Sequence, residues 1–212
     1  QYGIDDENYN SFSGSTAWFE LEGNIMSLIY GDDFENKLTI SSTYAFTGLF
    51  RGCTKLVSAE NLILPATTLA DSCYASMFNG CTSLTKAPEL PANTLANSCY
   101  EYMFQDCASL TTAPKLPATT LVDSCYSSMF NGCTSLNYIK CLATDISAQD
   151  CTYNWVNGVA STGTFVKNPD MTSWATGDDG IPTGWTVEDK QEPLTFKISS
   201  PGTINWMNTA SK

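Results

Sequence analysis

The sequence predicts an α/β repeat solenoid: short parallel strands and short helices, stacked unit on unit, with β-strand segments on either side. Three observations predict it. Cys73, Cys99, Cys125 and Cys151 recur every 26 residues, and Cys81, Cys107 and Cys133 keep the same step. Whole blocks move with them, from CYASMFNGCTSLTKAPELPANTLANS (73–98) through CYEYMFQDCASLTTAPKLPATTLVDS (99–124) to CYSSMFNGCTSLNYIKCLATDISAQD (125–150). Self-similarity at a period of this size marks an array in which each unit is one supersecondary element packed on its neighbours. A stack of this kind points to a displayed binding surface rather than to a pocket built for chemistry.

The elements follow in order. Residues 1–43 differ in texture from the rest and read as an N-terminal β segment or cap. The stretch from Ala17 to Tyr30 alternates and then runs apolar, as one or two strands ending at a turn at Gly31-Asp32-Asp33. The repeats span 44–159. They begin in degraded form, with Phe46, Leu49, Phe50, Gly52 and Cys53 standing 28 residues before Tyr74, Met77, Phe78, Gly80 and Cys81. In each unit, Asp71/Ser72, Asn97/Ser98 and Asp123/Ser124 are placed to cap a helix N-terminus. About a turn and a half of helix should follow, with Cys73 and Met77 on one face and Tyr74 and Phe78 on the next. Gly80, Asp106 and Gly132 stand where a left-handed residue ends a short helix. Leu84, Leu110 and Leu136 open extended segments that should pair in parallel with their copies. Pro88 and Pro114 lack the amide hydrogen and should stop that ladder. One short strand and one short helix per unit is the make-up of a leucine-rich-repeat coil. Four to five units at ~4.8 Å each give a sheet on the order of 20–25 Å wide.

A C-terminal cap is expected over 160–192. Cys151, Trp155 and Val156 still hold repeat positions, and Thr164-Phe165-Val166 reads as a last strand. The loop from Trp174 to Trp185 looks like a lid whose two indoles cover the end of the stack. Residues 193–212, with Pro193-Leu194-Thr195-Phe196-Lys197-Ile198, read as the opening of a further β-module. The N-terminus QYGIDDENYN has neither an initiating Met nor a signal pattern, so a removed leader or an excised piece of a longer chain is expected.

Composition narrows the partners. A net charge of −12, with ten Lys and Arg in all, argues against nucleic acid and against anionic membrane. No run of 18 apolar residues offers a membrane span. Of the nine cysteines all but Cys141 hold repeat positions, and they read as an internal ladder of small, buried and mostly free thiols rather than as a disulfide framework. With no His and no CxxC pair, zinc ligation lacks its usual spacing. The absence of His also removes Ser-His and Cys-His nucleophiles, and no acidic pair repeats across a cleft, so no catalytic residue, metal site or cofactor is assigned.

The residues that change between copies define the candidate binding face: Thr85, Lys86 and Glu89, then Thr111, Thr112 and Lys115, then Asn137, Tyr138 and Lys140. Simple solvated variation is the plainer explanation of that face. Tyr74, Tyr100 and Tyr126, extended by Phe46, form a stripe that either seats sugar rings or packs on the neighbouring Phe side chains, and packing is the commoner fate. Asp5-Asp6-Glu7, Asp32-Asp33-Glu35 and Asp178-Asp179 carry carboxylates suited to Ca²⁺ but match no EF-hand loop. Trp155, Trp174 and Trp185 read as cap core.

The unit Cys-Tyr-x-x-Met-Phe-x-Gly-Cys-Thr-Ser-Leu-Thr-x-Ala-Pro-x-Leu-Pro-Ala-x-Thr-Leu resembles the BspA-like leucine-rich repeats of surface proteins from Bacteroidetes and their phages. The likeness covers about 44–188. Asp106 departs from it by replacing Gly, and Lys140 and Ala143 by replacing Pro. The resemblance implies a right-handed coil displayed outside the cell, attached to the outer membrane or secreted within a larger chain. It implies adhesion to a protein or glycan on a cell surface and supplies no catalytic residue. A glycan-binding module of a polysaccharide-uptake system, or a spacer in a fibre or virion protein, is the alternative.

Overall fold

A computed structural model describes Phe12 and residues 15–191. The expected β-module at 193–212 and the Asp5-Asp6-Glu7 cluster lie outside these residues. The regular elements of the described chain are mostly short parallel strands in two small sheets, with few helices. Strand β1 (Phe19–Asn24) pairs in parallel with β2 (Leu56–Ile63), so the N-terminal segment adds a strand to the first repeat. Strands β3 (Tyr138–Cys141), β4 (Thr164–Lys167) and β5 (Thr186–Asp189) form the second sheet, paired Tyr138 to Thr164 to Thr186 in one register. Neither sheet closes. The second expected N-terminal strand is instead a four-residue helix, α1 (Ser27–Tyr30), followed by the 3₁₀ turn Gly31–Asp33. Thr164-Phe165-Val166 is a strand, but β5 follows it, so it is not the last one.

The expected helix after each Cys-Tyr pair does not form. The backbone there is a ribbon of turns in which every fourth residue has positive φ: Ser72 (53°), Ser76 (55°) and Gly80 (73°) in one unit, Ser98, Tyr102 and Asp106 in the next. A left-handed residue at that interval breaks the α-helical ladder and turns alternate N–H groups outward. The donors divide accordingly. Cys73, Ala75, Met77 and Asn79 each bond to the carbonyl three residues back. Ser72, Tyr74, Ser76, Phe78 and Gly80 instead donate across to Asn97, Cys99, Glu101, Met103 and Gln105 of the next unit, at 2.8–3.0 Å. The same five-rung pattern joins 44–52 to 71–79, 98–106 to 123–131, and 124–132 to 149–157. The supposed caps also bond across units: Asp71 accepts from the Asn97 amide, and Asp123 from the Gln149 amide, at 3.0 Å each.

Asp106 occupies the left-handed position at φ 59°, where its four counterparts Gly52, Gly80, Gly132 and Gly158 are glycines. Its carboxylate lies over Gly132, so a Cβ at 132 would collide with it. Asp106→Gly is expected to stabilise the fold by about 0.5 kcal/mol, the left-handed cost relieved less the chain entropy added. A lower midpoint in urea than the parent chain would contradict this.

The strand side follows the prolines. A regular strand forms in the unit where Lys140 and Ala143 replace Pro, whereas the two Pro-bearing units make only single bridges, such as Lys86 to Ser58 and Thr112 to Tyr138. Pro has no N–H to give the ladder. Among the described residues, no backbone bridge joins 85–89 to 111–115, and a groove opens between these segments.

Inside, two aromatic columns run along the stack. Phe46, Tyr74, Tyr100, Tyr126 and Trp155 stack at 5.6–6.3 Å between ring centroids. Phe12, Phe50, Phe78, Phe104 and Phe130 stack at 5.4–5.8 Å. The tyrosines therefore pack on one another along the stack, in a column of their own beside the phenylalanines. Met77, Met103, Met129, Leu84, Leu110 and Leu136 are fully buried in the same core. All nine cysteines are free and buried. Cys81, Cys107 and Cys133 donate their S–H to the carbonyls of Phe50, Phe78 and Phe104 in the preceding unit, at 3.0–3.2 Å. A thiol thus serves there as a small apolar group with one donor.

Candidate binding surface

The strand-side groove encloses about 550 Å³ and is lined by Thr85, Lys86 and Glu89 from one unit, Thr111 and Thr112 from the next, and Glu60 and Asn61 at its edge. Five of the nine predicted face residues therefore meet in one groove. Lys115 is exposed beyond it, exposed Asn137 leads into β3, and half-buried Tyr138 and Lys140 stand on that strand. The Lys86 ammonium bonds both carboxylate oxygens of Glu60, at 2.6 and 2.7 Å. This pair is exposed to water, so it orders the rim while adding little to stability. Thr85 Oγ1 is tied to the Val57 carbonyl at 2.8 Å. The groove is polar, with charges of both signs.

The tyrosine stripe is no sugar platform: Tyr74, Tyr100 and Tyr126 are at most 2% exposed. The acidic clusters also have other employment. Asp33 pairs with Lys37 at 2.8 Å. Asp178 and Asp179 take the place of a further unit at the C-terminal end. The Val156 amide donates to the Asp178 carbonyl, the Asn154 amide to Asp179 Oδ1, and Asn157 Nδ2 to Asp178 Oδ2. Trp155 Nε1 donates to the Gly180 carbonyl at 2.7 Å, and the Trp155 ring stacks on Trp174 at 5.7 Å. The loop closes donors that a following unit would otherwise take. Among the described residues, no three Cys, Asp or Glu side chains converge as a metal-binding group, and no helix is long and apolar enough to cross a membrane.

Two further concavities escaped the sequence reading. An apolar cleft of about 620 Å³ lies between β1 and the first repeat, lined by Phe19, Leu21, Ile25, Leu28, Phe50 and Leu62 among others. A smaller polar groove of about 240 Å³ lies on the turn ribbon, lined by Arg51, Ser76, Asn79, Glu101, Tyr102 and Gln105 among others. The available signal for the second was the variation among Ala75, Glu101, Ser127 and Tyr153, but a helical reading of the ribbon hid which of these share a face.

Comparisons with protein-family models, curated proteins and solved structures gave no significant match.

Proposed function

We propose that the 26-residue units form one continuous right-handed solenoid of the BspA-like leucine-rich-repeat kind, acting outside the cell as a non-enzymatic adhesion module. In this reading the framework residues hold the stack, and the strand-side face recognises a protein on another surface. The observation that carries it is the groove between the two Pro-bearing segments, whose walls are residues that differ between copies while the buried columns do not. Its mixed charges suit a polar protein surface.

Beads coated with the chain should adhere to epithelial cell layers or to immobilised matrix proteins. Replacing Lys86, Glu89 and Thr112 together by Ala is expected to lower adhesion several-fold, because a few residues dominate such contacts. The melting temperature should hold, since all three side chains are exposed. Undiminished adhesion by the triple variant would refute the assignment of this face.

A further inference from the structure

Hydrogen bonds between successive units are shared unevenly between the ribbon side and the strand side. On the strand side, the first repeat is joined to the Cys73 unit by the amides of Thr85 to Val57, Ala59 to Lys86, Thr94 to Thr67 and Leu69 to Thr94, at 2.9–3.3 Å. The Cys99 and Cys125 units are joined there by Asn137 to Thr111, Ala113 to Tyr138, Leu116 to Lys140 and Leu121 to Asp145, at 2.9–3.0 Å. The junction between these two pairs is different. Among the described residues, no hydrogen bond or backbone bridge joins 84–96 to 110–122. The last bond before the opening runs from Ser109 Oγ to the Thr82 carbonyl, at 2.8 Å.

The turn ribbon is intact across the same junction. Ser72, Tyr74, Ser76, Phe78 and Gly80 keep their rungs at 2.8–3.0 Å, and Asn79 Nδ2 donates to Gln105 Oε1 at 2.6 Å. The Phe78 and Phe104 rings are parallel within 2° at 5.4 Å, and Tyr74 and Tyr100 within 4° at 5.8 Å. The strand side carries buried Leu84, Leu90, Leu110 and Leu116, with no backbone bond between the two units. Apolar burial is non-directional, so it allows a tilt that a ladder of hydrogen bonds would resist. Proline accounts for the opening. The Ala113 N–H points to the following unit, and successive N–H groups of an extended segment point to opposite sides. Position 114 should therefore donate to the preceding unit, but Pro114 has no N–H to give. The facing segment carries Pro88, whereas the matching residue of the next unit is Lys140, in β3.

We propose that this junction is a hinge: the units on its two sides tilt against each other about the turn ribbon, which widens and narrows the groove between 85–89 and 111–115. The hinge stands on the backbone bonding and not on the adhesion reading. Its place gives it control over the width of the groove to which that reading assigns adhesion.

The test places nitroxide spin labels on Thr85→Cys, Thr111→Cys and Asn137→Cys in the whole chain. These exposed residues hold one position in three successive units, and the native thiols are buried away from the label. The 85/111 pair, across the open junction, is expected to give a distance distribution about twice as wide as the 111/137 pair. Hydrogen exchange should stay slow at Tyr74 and Phe78, whose ribbon bonds the motion leaves in place. Adding Pro114→Ala restores an N–H on the facing side without adding volume, and should narrow the 85/111 distribution to that of 111/137. Equal widths in the two pairs without Pro114→Ala overturn the proposal. So does a distribution that Pro114→Ala leaves unchanged, or fast exchange at Tyr74 and Phe78, which would mean that the whole junction parts.

Discussion

Raising the pH from 8 to 10 is expected to unfold this protein cooperatively. Burial pushes the thiols of Cys73, Cys81, Cys125, Cys133 and Cys141 from 9.0 up to about 12. It also drives Cys99, Cys107 and the three column tyrosines well above their ordinary values. A buried neutral thiol cannot ionise without losing its apolar surroundings, while the same thiol in the unfolded chain ionises freely. Between pH 9 and 12 the unfolded chain therefore holds fewer protons than the folded one, and stability falls as pH rises. Below pH 9 the contribution is fully present. At pH 10 each of the five thiols removes on the order of 1 kcal/mol, so together they take a large share of the about 5–15 kcal/mol that holds a typical domain. Circular dichroism and tryptophan emission followed against pH should show one transition near pH 10. A chain still native at pH 12 would mean the thiols are not buried as described. Cys141→Ala should move the midpoint upward if the cavity cost is offset, since one ionising group is removed.

Trp155→Ala is the substitution expected to cost most. Trp155 is fully buried where both aromatic columns meet the cap: it stacks on Tyr126 and Trp174, lies tilted against Phe130, and meets Phe165 edge-on. Truncation leaves a large cavity and strands the Gly180 carbonyl, so a loss of about 3–5 kcal/mol is expected. The backbone rungs join each turn segment to the one that follows it, so the damage should be local. Hydrogen exchange should quicken first at Asn154 and Val156, which bond to the cap, while Tyr74, Ser76 and Phe78 keep their protection. A loss below about 1 kcal/mol, or equal deprotection along the whole chain, would contradict this account of the cap.

Much of the fold was legible in the spacing alone. The 26-residue period identifies the residues that line up from unit to unit, and the buried Cys, Tyr, Met, Phe and Leu columns follow from it. The role of the loop between Trp174 and Trp185 was equally readable, because two indoles beyond the last repeat have few places to be buried. The binding face was half legible. Residues that change between copies are easy to find, but their meeting in one groove depends on the missing bridges between 85–89 and 111–115.

The sequence by itself determined the register of the stack and which side chains face inward, because burial repeats wherever the apolar pattern repeats. Only the tertiary structure decided what the Cys-Tyr segments are. Apolar residues at i and i+4 suit both an α-helix and a ribbon of turns with a left-handed residue every fourth position. The two differ in where alternate N–H groups find acceptors, and those acceptors, Cys99 for Tyr74 and Met103 for Phe78, belong to the neighbouring unit.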